Sequence, residues 1–181
     1  MTSGASFRSG RGAEVMKVIL GQRIPDVNVG HLDEAGLPVS ISLRGILDQG
    51  THIVIGVPGA FTPICTKRHL PRFIEKAPAL KQSGFDQISC IVSNDPFAVD
   101  QWRRQIDPEG RLQFYADGPM AFSRWFGLTE TLPDHLHMGE RSKRYLLIVR
   151  NGVVQRVNIE RTVIEFTCTG PEDLDADSLA F

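Results

Sequence analysis

Two apolar runs, His52 to Val57 (HIVIGV) and Ile88 to Val92 (ISCIV), constrain this chain more than anything else in it. Neither has a polar face to offer water, so each reads as a strand buried on both sides of a sheet. Between them the period changes. From Cys65 to about Gln82, the residues Leu70, Phe73, Ile74, Ala77 and Leu80 recur at helical spacing, and Ser83-Gly84 closes the pattern. Pro71 and Pro78 predict a bend or a break in it. After the second run, Asp95-Pro96 opens another helical pattern through Phe97, Trp102 and Ile106, with proline at the tolerated first turn. Strands joined by helical crossovers lie parallel in one sheet.

The rest of the chain adds to this sheet. Leu112 to Tyr115 reads as a further strand, Ala121 to Phe126 as a short helix and Tyr145 to Val149 as a strand. Asn151-Gly152 joins that last strand to Val153 to Ile159 in a tight hairpin. Met16 to Leu20 is apolar enough for a short strand, while Gly21 to Gly50 is rich in turn residues, with apolar spacing around Val39 to Leu43. The expected fold class is α/β: a central mixed β-sheet flanked by helices, with an antiparallel edge, as in a thioredoxin-like sandwich. With 181 residues, 41% of them hydrophobic, the chain suits one such domain over residues 16–181. Residues 1–15, with Arg8 and Arg11, read as a flexible leader or a weak organelle-targeting peptide.

Twenty basic residues nearly balance twenty-one acidic ones, so charge points to neither nucleic acid nor an anionic membrane. No apolar stretch approaches the roughly 20 residues needed to cross a bilayer, and the expectation is a soluble cytoplasmic protein. Three cysteines, Cys65, Cys90 and Cys168, are too few for a disulfide-stapled scaffold and would rest as thiols in a reducing compartment.

The loop after the first strand, Val57 to Cys65 (VPGAFTPIC), places one of those thiols at the start of a helix. There it faces unpaired backbone N–H groups and the positive end of the helix dipole, which favour thiolate. Thr62 can cap the helix or turn its hydroxyl toward the sulfur, and Pro58 and Pro63 restrict the loop. The plainer reading is a threonine-capped helix with a small apolar residue in its first turn.

Pro58 to Cys65 resembles the P-x-x-x-T-x-x-C signature of peroxiredoxins, in the PGAFTPxC form of the type II (peroxiredoxin 5-like) subfamily. The resemblance continues through Cys65 to Pro71 (CTKRHLP), Ser93 to Phe97 (SNDPF), Met138 to Tyr145 (MGERSKRY) and Asn151-Gly152-Val153. It implies a thioredoxin-type fold and the reduction of hydrogen peroxide and alkyl hydroperoxides without a metal or other cofactor. It further implies that Cys65 is the peroxidatic cysteine, that Thr62 hydrogen-bonds thiolate and peroxide, and that Arg144 stabilises charge on sulfur and peroxide oxygens. Without the resemblance, Arg144 is one member of a basic cluster in a solvated loop.

The resemblance also implies a homodimer and a reductant such as glutaredoxin, thioredoxin or glutathione. Cys168, in Phe166 to Thr169 (FTCT), resembles the resolving cysteine of animal-type members, whereas MGERSKRY resembles the plant and bacterial form. Cys90 is the other internal candidate, though a small apolar residue also suits its strand. Resolution by Cys168, by Cys90 or by an external thiol stays open on sequence. His69, one helical turn beyond Cys65, reads as hydrogen-bonded packing or as a tuner of the local field. Asp134 to His137 (DHLH) reads as loop, not metal site. Trp102 and Trp125 read as core or interface, and Met120 and Phe122 as pocket or dimer contacts. Two other activities share these residues: a general thiol:disulfide oxidoreductase, weakened by the lack of a C-x-x-C pair, and a redox-sensing interaction module without turnover.

Overall fold

A computed structural model describes residues 20–174. The leader and all but Leu20 of the strand expected at Met16 to Leu20 lie outside the described residues, and Leu20 itself is in a turn. Seven strands form one sheet in the order β2-β1-β5-β4-β3-β8-β9. They are β1 (Asn28–Leu32), β2 (Pro38–Ser42), β3 (Thr51–Val57), β4 (Gln87–Val92), β5 (Gln113–Ala116), β8 (Tyr145–Arg150) and β9 (Val153–Ile159). A separate small hairpin pairs β6 (Thr129–Thr131) with β7 (Glu140–Ser142). As the helical crossovers require, β3, β4 and β5 are mutually parallel, whereas β8 and β9 add antiparallel through the Asn151-Gly152 turn.

Alternation along the central strands sorts their side chains into two cores. Ile53, Ile55 and Val57 of β3 join Ile88, Cys90 and Val92 of β4, and Leu146 and Ile148 of β8, on one face. Covering that face are α2 (Leu70–Gln82) and α3 (Pro96–Ile106), through Phe73, Ala77, Val99 and the fully buried Trp102. On the other face Val54, Ile91, Leu147 and Val149 pack with Leu43 and Leu47 of α1 (Leu43–Leu47) and Phe122 of α4 (Ala121–Trp125). The expected flanked mixed sheet is therefore present, each face closed by its own helices.

Gly56 sits near the C-terminal end of β3, opposite Tyr145. A Cβ there would lie 2.0 Å from the tyrosine ring, so the ring occupies the place a side chain would take. Alanine at 56 is expected to destabilise the fold by about 1–3 kcal/mol through overpacking. A urea midpoint unchanged from wild type would contradict this.

Of the bend or break expected at Pro71 and Pro78, no break occurs: the helix runs unbroken from Leu70 to Gln82. Pro78 lacks the N–H that Ile74 would accept, and Arg111 Nη1 donates to that carbonyl instead, at 3.2 Å. Pro71 has the same defect toward Lys67, and the turn ahead of it, Cys65–His69, widens to π-helical geometry, closed by Leu70 N–H on Cys65 O. Strands β1 and β2 and helix α1 are not distinguishable by sequence within the turn-rich stretch from Gly21 to Gly50. Of the two tryptophans, Trp102 is core whereas Trp125 is 63% exposed, and both Met120 and Phe122 are buried.

Candidate active site

Because β3, β4 and β5 run in one direction, the loops that leave their C-terminal ends collect at one edge of the sheet, the usual place for a site in α/β folds. The loop after β3 is tied to the loop after β4 by Ala60 N–H donating to Asn94 Oδ1 at 2.9 Å. Phe61 holds a left-handed conformation, φ 60°, that is costly for a bulky side chain and is kept only because the surrounding loop enforces it. Helical structure starts at Pro63, which puts Cys65 in the first turn as expected. Thr62 does not cap that turn with its side chain. Its hydroxyl donates to Gly59 O at 2.9 Å, while Thr66 N–H takes its backbone carbonyl. An oxygen whose proton is so engaged keeps its lone pairs for a donor approaching from the cavity.

Arg144, at the entrance to β8, is 1% exposed, so the solvated-loop reading of the basic cluster does not hold for it. Its planar fork spreads over several partners at once. Nη1 lies 3.3 Å from Cys65 Sγ and 3.0 Å from His69 Nδ1, Nε donates to Glu165 O at 3.1 Å, and Nη2 donates to Val163 O at 2.9 Å. Sulfur and guanidinium thus meet although 79 positions separate them in sequence.

His69 is fully buried in the π-helical turn, and its protonation follows from its partners. Arginine has no acceptor, so Nδ1 must accept from it, and Nε2–H then donates to Thr169 O at 2.8 Å. Burial, with the Arg144 charge added, lowers its pKa to about 3. His69 is therefore a neutral acceptor that holds the guanidinium. Trp102 Nε1 reaches Thr66 Oγ1 at 3.0 Å and fixes the other side of the same turn.

A cavity of about 210 Å³ opens on this cluster. Pro58, Thr62, Leu132, Met138, Val163 and Arg144 are among its walls, so a mainly apolar passage ends on the group that touches the sulfur.

The three thiols are free and differ in environment. Cys65 and Cys90 are both fully buried in the same core cluster, and burial, with the Cys65 charge added, raises the Cys90 pKa well above the usual thiol range. Cys168 is partly exposed. Burial and the charges of Glu160 and Asp173 push its pKa up to about 11, its N–H donates to Glu160 Oε1 at 2.8 Å, and its carbonyl accepts from Asn158 Nδ2 at 2.6 Å. His135 and His137 lie at an exposed turn. Sequence reasoning gives neither Asn94 nor Glu160 a role; Asn94 stands within SNDPF, and nothing local marks Glu160.

The Redoxin family model matches residues 19–169. A peroxiredoxin-2D of Arabidopsis thaliana is 36% identical over 157 residues, which span 87% of this chain and 96% of that protein. The chain belongs to the peroxiredoxins. A chloroplastic peroxiredoxin-2E of the same plant is similar at 32% identity over 159 residues, 87% of this chain and 68% of its own. Among solved structures, reduced Prx3 of Vibrio vulnificus matches with TM-score 0.80 and 30% identity over 90% of this chain and 98% of its own. Prx3 in complex with hydrogen peroxide matches at 0.79 and 31% over 85% and 94%. This peroxiredoxin is accordingly a thiol-dependent peroxidase on the thioredoxin fold, as the resemblance implied, and a redox module without turnover is the weaker reading.

Proposed function

We propose that Cys65 is the peroxidatic residue, with Arg144 and Thr62 acting on the same peroxide and Pro58 shaping the wall beside them. The contact between Arg144 Nη1 and Cys65 Sγ carries this reading. A guanidinium against sulfur is placed to steady negative charge there as the sulfur reacts, the thiolate being the nucleophilic form of any cysteine. The thiolate attacks one peroxide oxygen, an S–O bond forms as the O–O bond breaks, and the leaving oxygen departs as water or alcohol after taking a proton. Charge moves from sulfur to that oxygen, and the Arg144 fork lies where it can follow both. The product at Cys65 is a sulfenic acid. The mainly apolar passage suits the alkyl group of an organic hydroperoxide, and hydrogen peroxide is small enough to enter it.

An external thiol completes the cycle: it condenses with the sulfenic acid, water leaves, and a second thiol releases Cys65. Glutaredoxin, thioredoxin and glutathione all supply such thiols. Two observations favour this over internal resolution. Cys90 is enclosed in the core, and at Cys168 burial and the charges of Glu160 and Asp173 disfavour the thiolate while its backbone is held by Glu160 and Asn158. Peroxide-dependent consumption of reduced glutaredoxin is expected to vanish in Cys65→Ser, whose hydroxyl stays protonated, and to persist in Cys168→Ser. Turnover by Cys65→Ser would remove the assignment, and loss of turnover in Cys168→Ser would make Cys168 the resolver.

Exposed aromatic residues Phe61, Phe97 and Trp125 all follow the C-terminal ends of the parallel strands, and they support a homodimer formed through that edge. Phe97→Glu is expected to halve the mass seen by light scattering. Relatives named as chloroplastic support the targeting alternative for residues 1–15 over a cytoplasmic location.

A further inference from the structure

Glu160 follows β9 and is 2% exposed, a costly place for a carboxylate. Among the described residues no cation forms a salt bridge with it; its partners are the backbone and hydroxyls of a single short segment. Oε1 accepts from Thr167 N at 2.7 Å, Cys168 N at 2.8 Å, Thr169 N at 3.1 Å and Thr169 Oγ1 at 2.9 Å. Oε2 accepts from Thr167 Oγ1 at 2.8 Å. Burial alone would raise the pKa of Glu160, but these bonds outweigh it and hold the carboxyl below its usual range. Glu160 N–H also donates to Arg144 O, joining the start of the segment to the strand that carries the arginine.

The stretch 163–169, which Glu160 anchors at its C-terminal end, supplies most of the partners of the active-site cluster. Val163 O and Glu165 O accept from Arg144, and Thr169 O accepts from His69 Nε2. Phe166 packs against the His69 ring at 4.8 Å between centroids and lies under Arg72 at 5.0 Å. No helix or strand runs through residues 160–169, so backbone pairing within the segment does little to hold these carbonyls.

We propose that Glu160 is a positioning residue: by gathering Thr167 to Thr169 on its carboxylate, it fixes the carbonyls that aim Arg144 and His69 at the Cys65 sulfur. This rests on the role of Arg144 under the proposed function. The effect is geometric. Glutamine at 160 keeps an oxygen in the place of Oε1 for the N–H groups and for Thr169, and its NH2 can donate to the hydroxyl of Thr167. Aspartate keeps the charge but is one methylene too short to hold the segment where it is.

The test uses the full chain with hydrogen peroxide and, separately, iodoacetamide, which needs the Cys65 thiolate but has no O–O bond for Arg144 to assist. Glu160→Gln is expected to react with peroxide within about threefold of wild type. For Glu160→Asp the expected loss is about thirtyfold, the scale of a small misplacement at a reacting centre. Alkylation of Cys65 in Glu160→Asp should fall less than the peroxide rate does, because alkylation loses only the guanidinium beside the sulfur and not its aid to the breaking O–O bond. A Glu160→Asp rate equal to wild type overturns the proposal. So does a tenfold loss in Glu160→Gln, which decides the matter alone if the aspartate variant fails to fold. Arg144→Lys runs alongside: a wild-type peroxide rate there would instead overturn the reading of Arg144 on which Glu160 depends.

Discussion

Lysine in place of Arg144 lowers the second-order rate with hydrogen peroxide by about a hundredfold or more, the scale of removing a preorganised donor from a developing oxyanion. The charge survives the substitution but the fork does not. Arg144 satisfies Val163 O, Glu165 O, His69 Nδ1 and Cys65 Sγ at one time, from a plane that those partners hold still. A lysine ammonium on a flexible stem meets at most part of this set, and it leaves the peroxide without a second donor. Val163 and Glu165 are only partly buried, so water can reach the carbonyls that lysine abandons and the fold should survive. Stopped-flow rates for wild type and Arg144→Lys, with circular dichroism on both, check this. A rate within threefold of wild type in a folded variant would show that charge alone suffices.

Acid stability carries the second large effect, through His69. In the folded chain its pKa is lowered from 6.5 to about 3, by burial first and then by Arg144. Between those values the unfolded chain binds a proton that the folded chain does not. The stabilising contribution is therefore whole above pH 6.5 and is lost as the pH falls toward 3, at about 1.4 kcal/mol per pH unit within the window. Physically, the imidazole would have to charge while Arg144 points a guanidinium at its Nδ1 from 3.0 Å. Urea unfolding at pH 7, 6 and 5 is expected to show a steeper loss for wild type than for His69→Gln, which has nothing to titrate at that position. Parallel curves would mean that other groups carry the whole pH dependence.

How much of this is legible in the sequence depends on the range of the interactions. HIVIGV and ISCIV are continuous apolar runs because their strands are buried on both faces, and Asn151-Gly152 suits a tight turn, so the central sheet is readable from local pattern. β1 and β2 are not, because five-residue strands that are mostly half-exposed carry little of that pattern. Pro78 misleads for a definite reason: the carbonyl it strands is rescued by Arg111, 37 positions away from Ile74.

The site shows the same division. Thr62, Pro63 and Cys65 lie together where the loop after β3 enters its helix, and their joint placement is as expected, apart from the hydroxyl of Thr62, which turns to Gly59 instead of capping the helix. Arg144 can be singled out only by resemblance, since nothing within MGERSKRY says which of its basic residues turns inward. Glu160 is invisible in the sequence, because its partners include backbone N–H groups that any chain possesses.

Intact mass after one equivalent of hydrogen peroxide, followed by mapping of the oxidised peptide, tests most directly whether Cys65 is the residue that meets peroxide. Expected is the addition of one oxygen, mapped to Cys65, in wild type and in Cys90→Ser and Cys168→Ser alike. Oxygen mapped first to Cys90 or Cys168, with Cys65 left reduced, would contradict the assignment of Cys65 as the peroxidatic residue.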